Sequence, residues 1–223
     1  NPDDSYVVER IIEKDLKIGM GTTNINKAIP GLIEKTPYMG AKPHSDKLVD
    51  KLFEQGTVVS DVKMDGRYCN AIIRSGEVEL ESRQGETTHV GKALFLRHLS
   101  KLPDCVLNGE LTVIGMDRYE ANGVIASIID IEKKREERTE DQTNKKLAAF
   151  EKKHGQYELM LSRIVYTVWD TITVDEYFDM KSNEKYASRK LNLHTYIDLI
   201  QEDDRAGNYQ RVFLIESRVV ANK

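Results

Sequence analysis

A lysine followed closely by an aspartate and a glycine is the first feature of this sequence that could support covalent chemistry. Residues 63–66 are Lys-Met-Asp-Gly and follow a β-rich run at 57–62. A lysine amine becomes a good nucleophile when burial or a neighbouring cation lowers its pKa. Glycine allows a second backbone or a ligand to approach closely. Lys63 is therefore a candidate covalent site, although a surface lysine entering an Asp-Gly turn is the simpler explanation of these four residues alone.

Three further segments follow Lys63 in order: Ser82-Arg83-Gln84-Gly85, Asn108-Gly109-Glu110-Leu111 and Tyr166-Thr167-Val168-Trp169-Asp170. Lys-x-Asp-Gly is a weak signal by itself, whereas the four segments together resemble the ATP-dependent DNA ligases. These belong to the covalent nucleotidyltransferase superfamily, which also holds RNA ligases and mRNA capping enzymes. The flanking sequence is similar to the DNA ligases of T-even phages in particular. Residues 24–33 resemble the end of the DNA-binding domain of those ligases.

The resemblance implies a reaction in three steps. Lys63 attacks the α-phosphate of ATP, expels pyrophosphate and becomes lysyl-AMP. The AMP passes to the 5′-phosphate of a nick in double-stranded DNA, and the 3′-hydroxyl then displaces AMP and seals the strand. The implied cofactors are ATP and Mg²⁺, and the implied partner is nicked duplex DNA.

The resemblance also assigns roles to single residues. Asp61 and Val62 lie where the family contacts the adenine edge, Val62 through its backbone. Arg83 lies where the family binds the ribose and the incoming 5′-phosphate, and an arginine fork matches phosphate oxygens. Glu110 lies where the family holds the ribose hydroxyls or a metal, and a carboxylate suits Mg²⁺. Tyr166 lies at the aromatic position that stacks on adenine.

Each assignment has an ordinary structural alternative. Arg83 could be a solvated turn arginine, Glu110 a carboxylate at a strand end, and Tyr166 part of the sheet core. We expect Trp169 to be a core residue. The five histidines are scattered without metal-ligand spacing, so none receives a role.

Two motif positions depart from the family pattern. The ligases usually have arginine two places after the glycine of the first motif, but Tyr68 stands there and Arg67 precedes it. Adjacent residues of a strand face opposite sides, so Arg67 cannot replace the missing side chain without a bulge. Both stay candidate nucleotide-binding residues. In the third motif, Asn108 stands where the family has aspartate, while Glu110 is kept.

The two lysine-bearing motifs that end the family's nucleotidyltransferase domain are not found before Lys223. We therefore expect this chain to be a central fragment of a longer ligase. Since those lysines neutralise the triphosphate, we expect self-adenylylation by the fragment to be impaired.

The expected fold class is α+β. Residues 1–40 are predicted to be the C-terminal part of a helical DNA-binding domain. Residues 41–223 are predicted to be an adenylation domain, incomplete at its C-terminus, with the ATP-grasp-like nucleotidyltransferase fold of antiparallel sheets flanked by helices. Ser75-Gly76 predicts a hairpin turn. Residues 158–169 are predicted as strand, and the charged stretch 131–153 as a solvated helix or mobile insert.

Composition narrows the class of protein. A net charge of −4, with 39% hydrophobic and 31% charged residues, is ordinary for a soluble domain. Apolar runs fall short of a membrane span, and Cys69 and Cys105 lack metal or disulfide spacing. We expect a cytoplasmic monomer, in the host cell if the source is a phage. RNA ligase or capping activity is the alternative within the superfamily, and a DNA-binding module without chemistry is the alternative outside it.

Overall fold

The computed structural model divides the chain into two compact units, Asn1–Thr36 and Pro37–Lys223. The residues that it describes are 2–12, 19, 21–33, 36–38, 42–204 and 210–220.

The first unit contains helices α1 (Pro2–Ile12) and α2 (Thr22–Ala28). The side chain of Asn26 closes the segment after α2. Its Nδ2 donates to the Ile33 carbonyl at 2.7 Å, and its Oδ1 accepts from the Ile33 N–H at 2.9 Å. The DNA-binding role expected for this part of the chain stays a prediction.

The second unit is built on two sheets. Its strands are β1 (Val58–Asp61), β2 (Arg67–Arg74), β3 (Glu77–Glu81), β4 (Cys105–Val113), β5 (Ile164–Ile172), β6 (Val212–Leu214) and β7 (Ser217–Val220). The larger sheet has the order β3-β2-β4-β5-β6, and the smaller sheet pairs β1 with β7. All these pairs are antiparallel except β5–β6. The expected α+β fold with mainly antiparallel sheets is confirmed.

The described part of the second unit also contains helices. They are α3 (Asp46–Glu54), α4 (Leu94–Leu99), α5 (Arg118–Lys133), α6 (Glu140–His154), α7 (Tyr157–Arg163), α8 (Val174–Phe178) and α9 (Tyr186–Asp204). Of these, α4, α5, α8 and α9 contact the larger sheet. None of the helices in the described part of the chain is long and apolar enough to cross a membrane.

The hairpin between β2 and β3 forms at the predicted turn. Ser75 and Gly76 both have positive φ angles, 51° and 81°, as a two-residue turn of this kind requires. The N–H of Ser75 donates to Asp104 Oδ1 at 2.7 Å, which fixes the turn to the segment before β4.

Side-chain alternation gives β2 and β4 two different faces. Cys69, Ala71 and Ile73 are buried in the main hydrophobic core, which α4, α5, α7 and α9 cover from the same side. Their neighbours along β2 face the other way, because successive strand residues alternate. On that second face, Ile72 packs in a small cluster with Tyr177 of α8, and the rest is polar. One face thus supplies packing, which leaves the other free for a site.

One stretch differs from its prediction, and a second stretch decides between two predicted alternatives. Residues 158–163, predicted as strand, form helix α7, because Tyr157, Met160 and Leu161 bury one face at helical spacing. The charged stretch 131–153 is helical over most of its length. Helix α6 begins with a capping box between Thr139 and Gln142 and buries Phe150, so the interpretation as a solvated helix is the correct one.

Gly109 lies where β4 and β5 come closest. A Cβ at this position would lie 2.7 Å from Cε2 of the Tyr166 ring and would also collide with the Thr167 carbonyl oxygen. The β4–β5 register shifts between Asn108 and Gly109. Glycine is therefore required here by packing between the strands.

Gly109→Ala is expected to lower the free energy of unfolding by about 1–3 kcal/mol through overpacking. Urea unfolding followed by circular dichroism measures the change. Gly123→Ala is the matched control. Gly123 lies within α5, and a Cβ added there would have no neighbouring atom within 4 Å. That substitution should stabilise the helix by up to about 1 kcal/mol. Equal stability of Gly109→Ala and the unchanged protein would contradict the packing argument.

Candidate active site

Lys63 lies on a short segment that crosses from the small sheet to the large one. The segment follows β1, which ends at Asp61, and precedes β2, which begins at Arg67. The Lys63 side chain is exposed. The N–H of Val62 donates to the Glu216 carbonyl at 3.1 Å, so only the Val62 carbonyl could serve the predicted backbone contact with a ligand.

A hydrogen bond fixes the end of this segment to β4. The N–H of Gly66 donates to Glu110 Oε2 at 2.5 Å. A Cβ on residue 66 would lie 2.6 Å from the Leu111 carbonyl oxygen and 2.7 Å from Thr112 Cγ2, so only glycine permits this approach. Asp65 adds an exposed ion pair with Arg118 at 2.6 Å. The Lys-x-Asp-Gly pattern therefore serves to hold the lysine segment against Glu110.

The second face of β2 and β4 carries a connected set of neutral polar groups. Tyr68 is paired with Glu110, and Asn70 with Asn108. Asn108 Nδ2 donates to the Tyr68 hydroxyl at 2.7 Å and to Asn70 Oδ1 at 2.6 Å. Asn70 Nδ2 continues the network to the Tyr177 hydroxyl at 3.0 Å. Burial raises the pKa of Tyr68, so its hydroxyl stays protonated and neutral.

Aromatic rings extend this face. The Tyr68 ring lies 5.4 Å from the Tyr38 ring and 6.3 Å from the Trp169 ring, centroid to centroid. The guanidinium of Arg83 lies 4.2 Å above the Tyr38 ring. Trp169, which we expected in the core, is only partly buried and lies where the β4–β5 register shifts. This row presents flat apolar surface with a cation at one end, and such surface suits a purine and a phosphate.

Tyr166 is placed away from this face. It is 0% exposed, packs against Phe95 and belongs to the main core. Its hydroxyl lies 2.9 Å from the carbonyl oxygens of Cys69 and Leu107. The ring has no open side on which a base could stack, so the structure does not bring Tyr166 to the site. The ordinary alternative, a core tyrosine, describes its position.

Arg67 is likewise not brought to the site face. The β2–β4 pairing continues without a register shift from Arg67 to Ile73. Arg67 therefore projects on the side of Cys69, whereas Tyr68 projects on the side of Glu110. Because this pairing has no bulge, the Arg67 side chain does not share the face that carries Tyr68 and Glu110.

Asp61 is surrounded by hydrogen-bond donors. Ser217 donates to Oδ1 at 2.5 Å, Tyr186 donates to Oδ2 at 2.6 Å, and Lys190 Nζ lies 3.6 Å from Oδ1. Partial burial acts to raise the pKa of Asp61. The two hydrogen bonds and the charge of Lys190 oppose this and hold the pKa below its ordinary value of 3.8.

Helix α9 is joined to β5 by an ion pair. Arg189 binds both carboxylate oxygens of Asp170, each at 2.9 Å, and both side chains are largely buried. Sequence reasoning missed Tyr186, Arg189 and Lys190 because their partners are far away along the chain. Asp170 was the available signal, since an aspartate at a buried strand end needs a partner.

The arrangement is a lysine segment between two sheets, beside a polar and aromatic face, and it defines a nucleotidyltransferase fold. No protein-family model matches the sequence. The chain is 28% identical to the DNA ligases of Enterobacteria phages T6 and T4, over 99% of its length in each case. It spans about half the length of these curated relatives, 47% of each.

A solved structure supports the same fold. The ATP-dependent DNA ligase from bacteriophage T7, in complex with ATP, superposes with a TM-score of 0.58 at 18% identity, covering 84% of this chain and 57% of that one. The expected similarity to T-even phage DNA ligases is therefore confirmed, and so is the nucleotidyltransferase fold of ATP-dependent DNA ligases.

Asp61→Asn is expected to flatten the dependence of stability on pH. The folded-state pKa of Asp61 lies below its ordinary value, so its contribution is present above that value and is lost as pH falls through the folded-state pKa. The variant should be less stable than the unchanged protein at neutral pH, and the difference should shrink below about pH 4. Urea unfolding at a series of pH values measures this, and a constant difference down to low pH would contradict it.

Proposed function

We propose that this chain is the nucleotide-accepting core of an ATP-dependent DNA ligase. Lys63 Nζ, once deprotonated, attacks the α-phosphorus of ATP. The bond to the β-phosphate oxygen breaks, and pyrophosphate leaves. AMP remains on Lys63 through a phosphoramidate bond, passes to the 5′-phosphate of a nick in duplex DNA, and is released when the 3′-hydroxyl attacks. The observation that carries this proposal is the bond from Gly66 to Glu110, which holds an exposed lysine beside the polar and aromatic face.

The residues around Lys63 offer partners to the adenine and ribose of ATP and to the 5′-phosphate of the nick. Trp169 and Tyr68 present aromatic surface to the adenine, and Asp61 presents a carboxylate to its amino group. Glu110 lies on the same face as Tyr68, where its carboxylate could accept hydrogen bonds from the ribose hydroxyls. Arg83 is exposed and stacked on Tyr38, which leaves its guanidinium edge free to meet the 5′-phosphate of the nick.

Glu110 would also hold Mg²⁺. The described residues contain no group of three or more His, Cys, Asp or Glu side chains arranged for a metal. One carboxylate together with substrate phosphates is, however, a usual way to hold this ion. When bound there, Mg²⁺ neutralises and polarises the phosphate oxygens of ATP.

Residues 1–40 are proposed to be the C-terminal part of a helical DNA-binding domain, and residues 41–223 to belong to an adenylation domain. The sequence similarity to phage DNA ligases supports duplex DNA as the substrate. We propose a monomer that acts in the cytoplasm, of the host cell if a phage encodes it. Nick sealing of this kind serves DNA replication, repair and recombination.

The first test is covalent labelling. Because self-adenylylation of this chain is expected to be slow, intact mass is recorded after prolonged incubation with ATP and Mg²⁺. It should show the addition of one AMP to part of the protein, and peptide mapping should place the AMP on Lys63. Lys63→Arg should reduce AMP labelling to less than about one per cent of the labelling of the unchanged chain, because arginine does not lose its proton to become a nucleophile. Lys92→Arg is the matched control at an exposed lysine outside the site and should label normally. Labelling of Lys63→Arg at the normal level would refute the proposal.

A second test separates the two aromatic candidates. Trp169→Ala should weaken ATP binding about tenfold, since stacking of a base on an aromatic ring contributes about 1–3 kcal/mol. Tyr166→Phe should leave ATP binding within about twofold and lower the free energy of unfolding by about 1 kcal/mol, because a buried hydroxyl is lost. Calorimetric ATP titration and urea unfolding measure both quantities. If Tyr166→Phe weakens ATP binding and Trp169→Ala does not, the stacking role belongs to Tyr166.

A further inference from the structure

Two residues from different elements hold the carboxylate of Asp61, one at each oxygen. Tyr186, at the start of α9, donates to Oδ2 at 2.6 Å. Ser217, at the start of β7, donates to Oδ1 at 2.5 Å. With one donor on each oxygen, rotation of the carboxylate is restricted, so its remaining lone pairs have a fixed direction.

Asp61 stays charged and partly open. Its side chain is 27% exposed, while Lys190 Nζ is buried 3.6 Å away. The Lys190 amine makes no hydrogen bond with any described residue, so it acts on Asp61 through its charge. A carboxylate that is fixed, ionised and partly exposed can accept a hydrogen bond from a donor outside the protein.

We propose that Tyr186 and Ser217 are positioning residues that orient Asp61 to accept a hydrogen bond from the 6-amino group of adenine. This proposal rests on the proposed function, because it needs the base to lie beside Asp61. A 6-oxo purine would place an acceptor oxygen against the same carboxylate, and the two oxygens would repel each other. By orienting Asp61, Tyr186 and Ser217 would set the preference for a 6-amino over a 6-oxo purine nucleotide.

The Tyr186 hydroxyl is not needed to keep α9 in place. Arg189 attaches the helix to Asp170 of β5 by two hydrogen bonds of 2.9 Å. Leu193, Ile197 and Ile200 bury the apolar side of the helix in the main core. Removal of one hydroxyl therefore releases Asp61 while leaving the helix attached, which makes Tyr186→Phe an informative variant.

The experiment compares ATP with inosine triphosphate, which carries a 6-oxo group in place of the 6-amino group. Trp169 is the one tryptophan of the chain and lies on the proposed base-binding face, so its fluorescence reports binding directly. Titrations use the whole chain and three variants: Tyr186→Phe, Ser217→Ala and, as matched control, Tyr196→Phe. Tyr196 lies on the same helix and packs against the core.

We expect the unchanged chain and Tyr196→Phe to bind ATP at least about tenfold more tightly than inosine triphosphate. In Tyr186→Phe and Ser217→Ala, ATP affinity should fall about five- to tenfold while inosine triphosphate affinity stays within about twofold. The preference between the two nucleotides should therefore narrow in both variants.

If Tyr186→Phe and Ser217→Ala lose affinity equally for both nucleotides, or lose affinity for neither, the positioning role is overturned. The proposed function would still stand. If the unchanged chain shows neither an ATP-dependent fluorescence change nor AMP addition at Lys63, the proposed function fails and the positioning role fails with it. The mass measurement and the nucleotide preference thus separate the two results.

Discussion

The hydrogen bond from the Gly66 N–H to the Glu110 carboxylate is the constraint on which the site depends. It joins two segments that lie 44 residues apart in the chain. The same contact requires glycine at position 66, because a side chain there would collide with the Leu111 carbonyl and with Thr112. Glu110 in turn is paired with Tyr68 across the sheet. This one contact therefore fixes the lysine segment to the strand that pairs with Tyr68.

The division of the large sheet into two faces explains which aromatic residue reaches the site. Tyr166 projects into the helix-covered core, where the absence of a side chain on Gly109 makes room for its ring. Trp169 lies between the pairs Asn108–Asp170 and Gly109–Val168, where the register shifts. Ile164, Tyr166 and Val168 share the core side of β5, so the alternation of strand residues turns Trp169 toward the other face.

Local patterns predicted much of this structure. The order of the motifs indicated the fold, and the Ser75-Gly76 turn follows from short-range chemistry. The strand predicted at 158–163 was wrong, because tertiary burial of a helical face outweighs strand propensity there. Sequence could not reveal that Tyr186 and Lys190 meet Asp61, since contacts across more than a hundred residues leave no local signal. The burial of Tyr166 and Trp169 was predicted the wrong way round, because the alternation of one strand does not show which of its two faces the helices cover.

The helical pair α5–α6 lies on the core side of the sheet, away from the polar face. Helix α6 buries only Phe150 among its described residues, and the two helices are joined by the short turn at 134–139. Such a turn is the kind of place where a chain tolerates added sequence. A reporter domain or a surface tether inserted into this turn should leave the lysine segment in place, so the turn is a suitable attachment point for immobilising the chain.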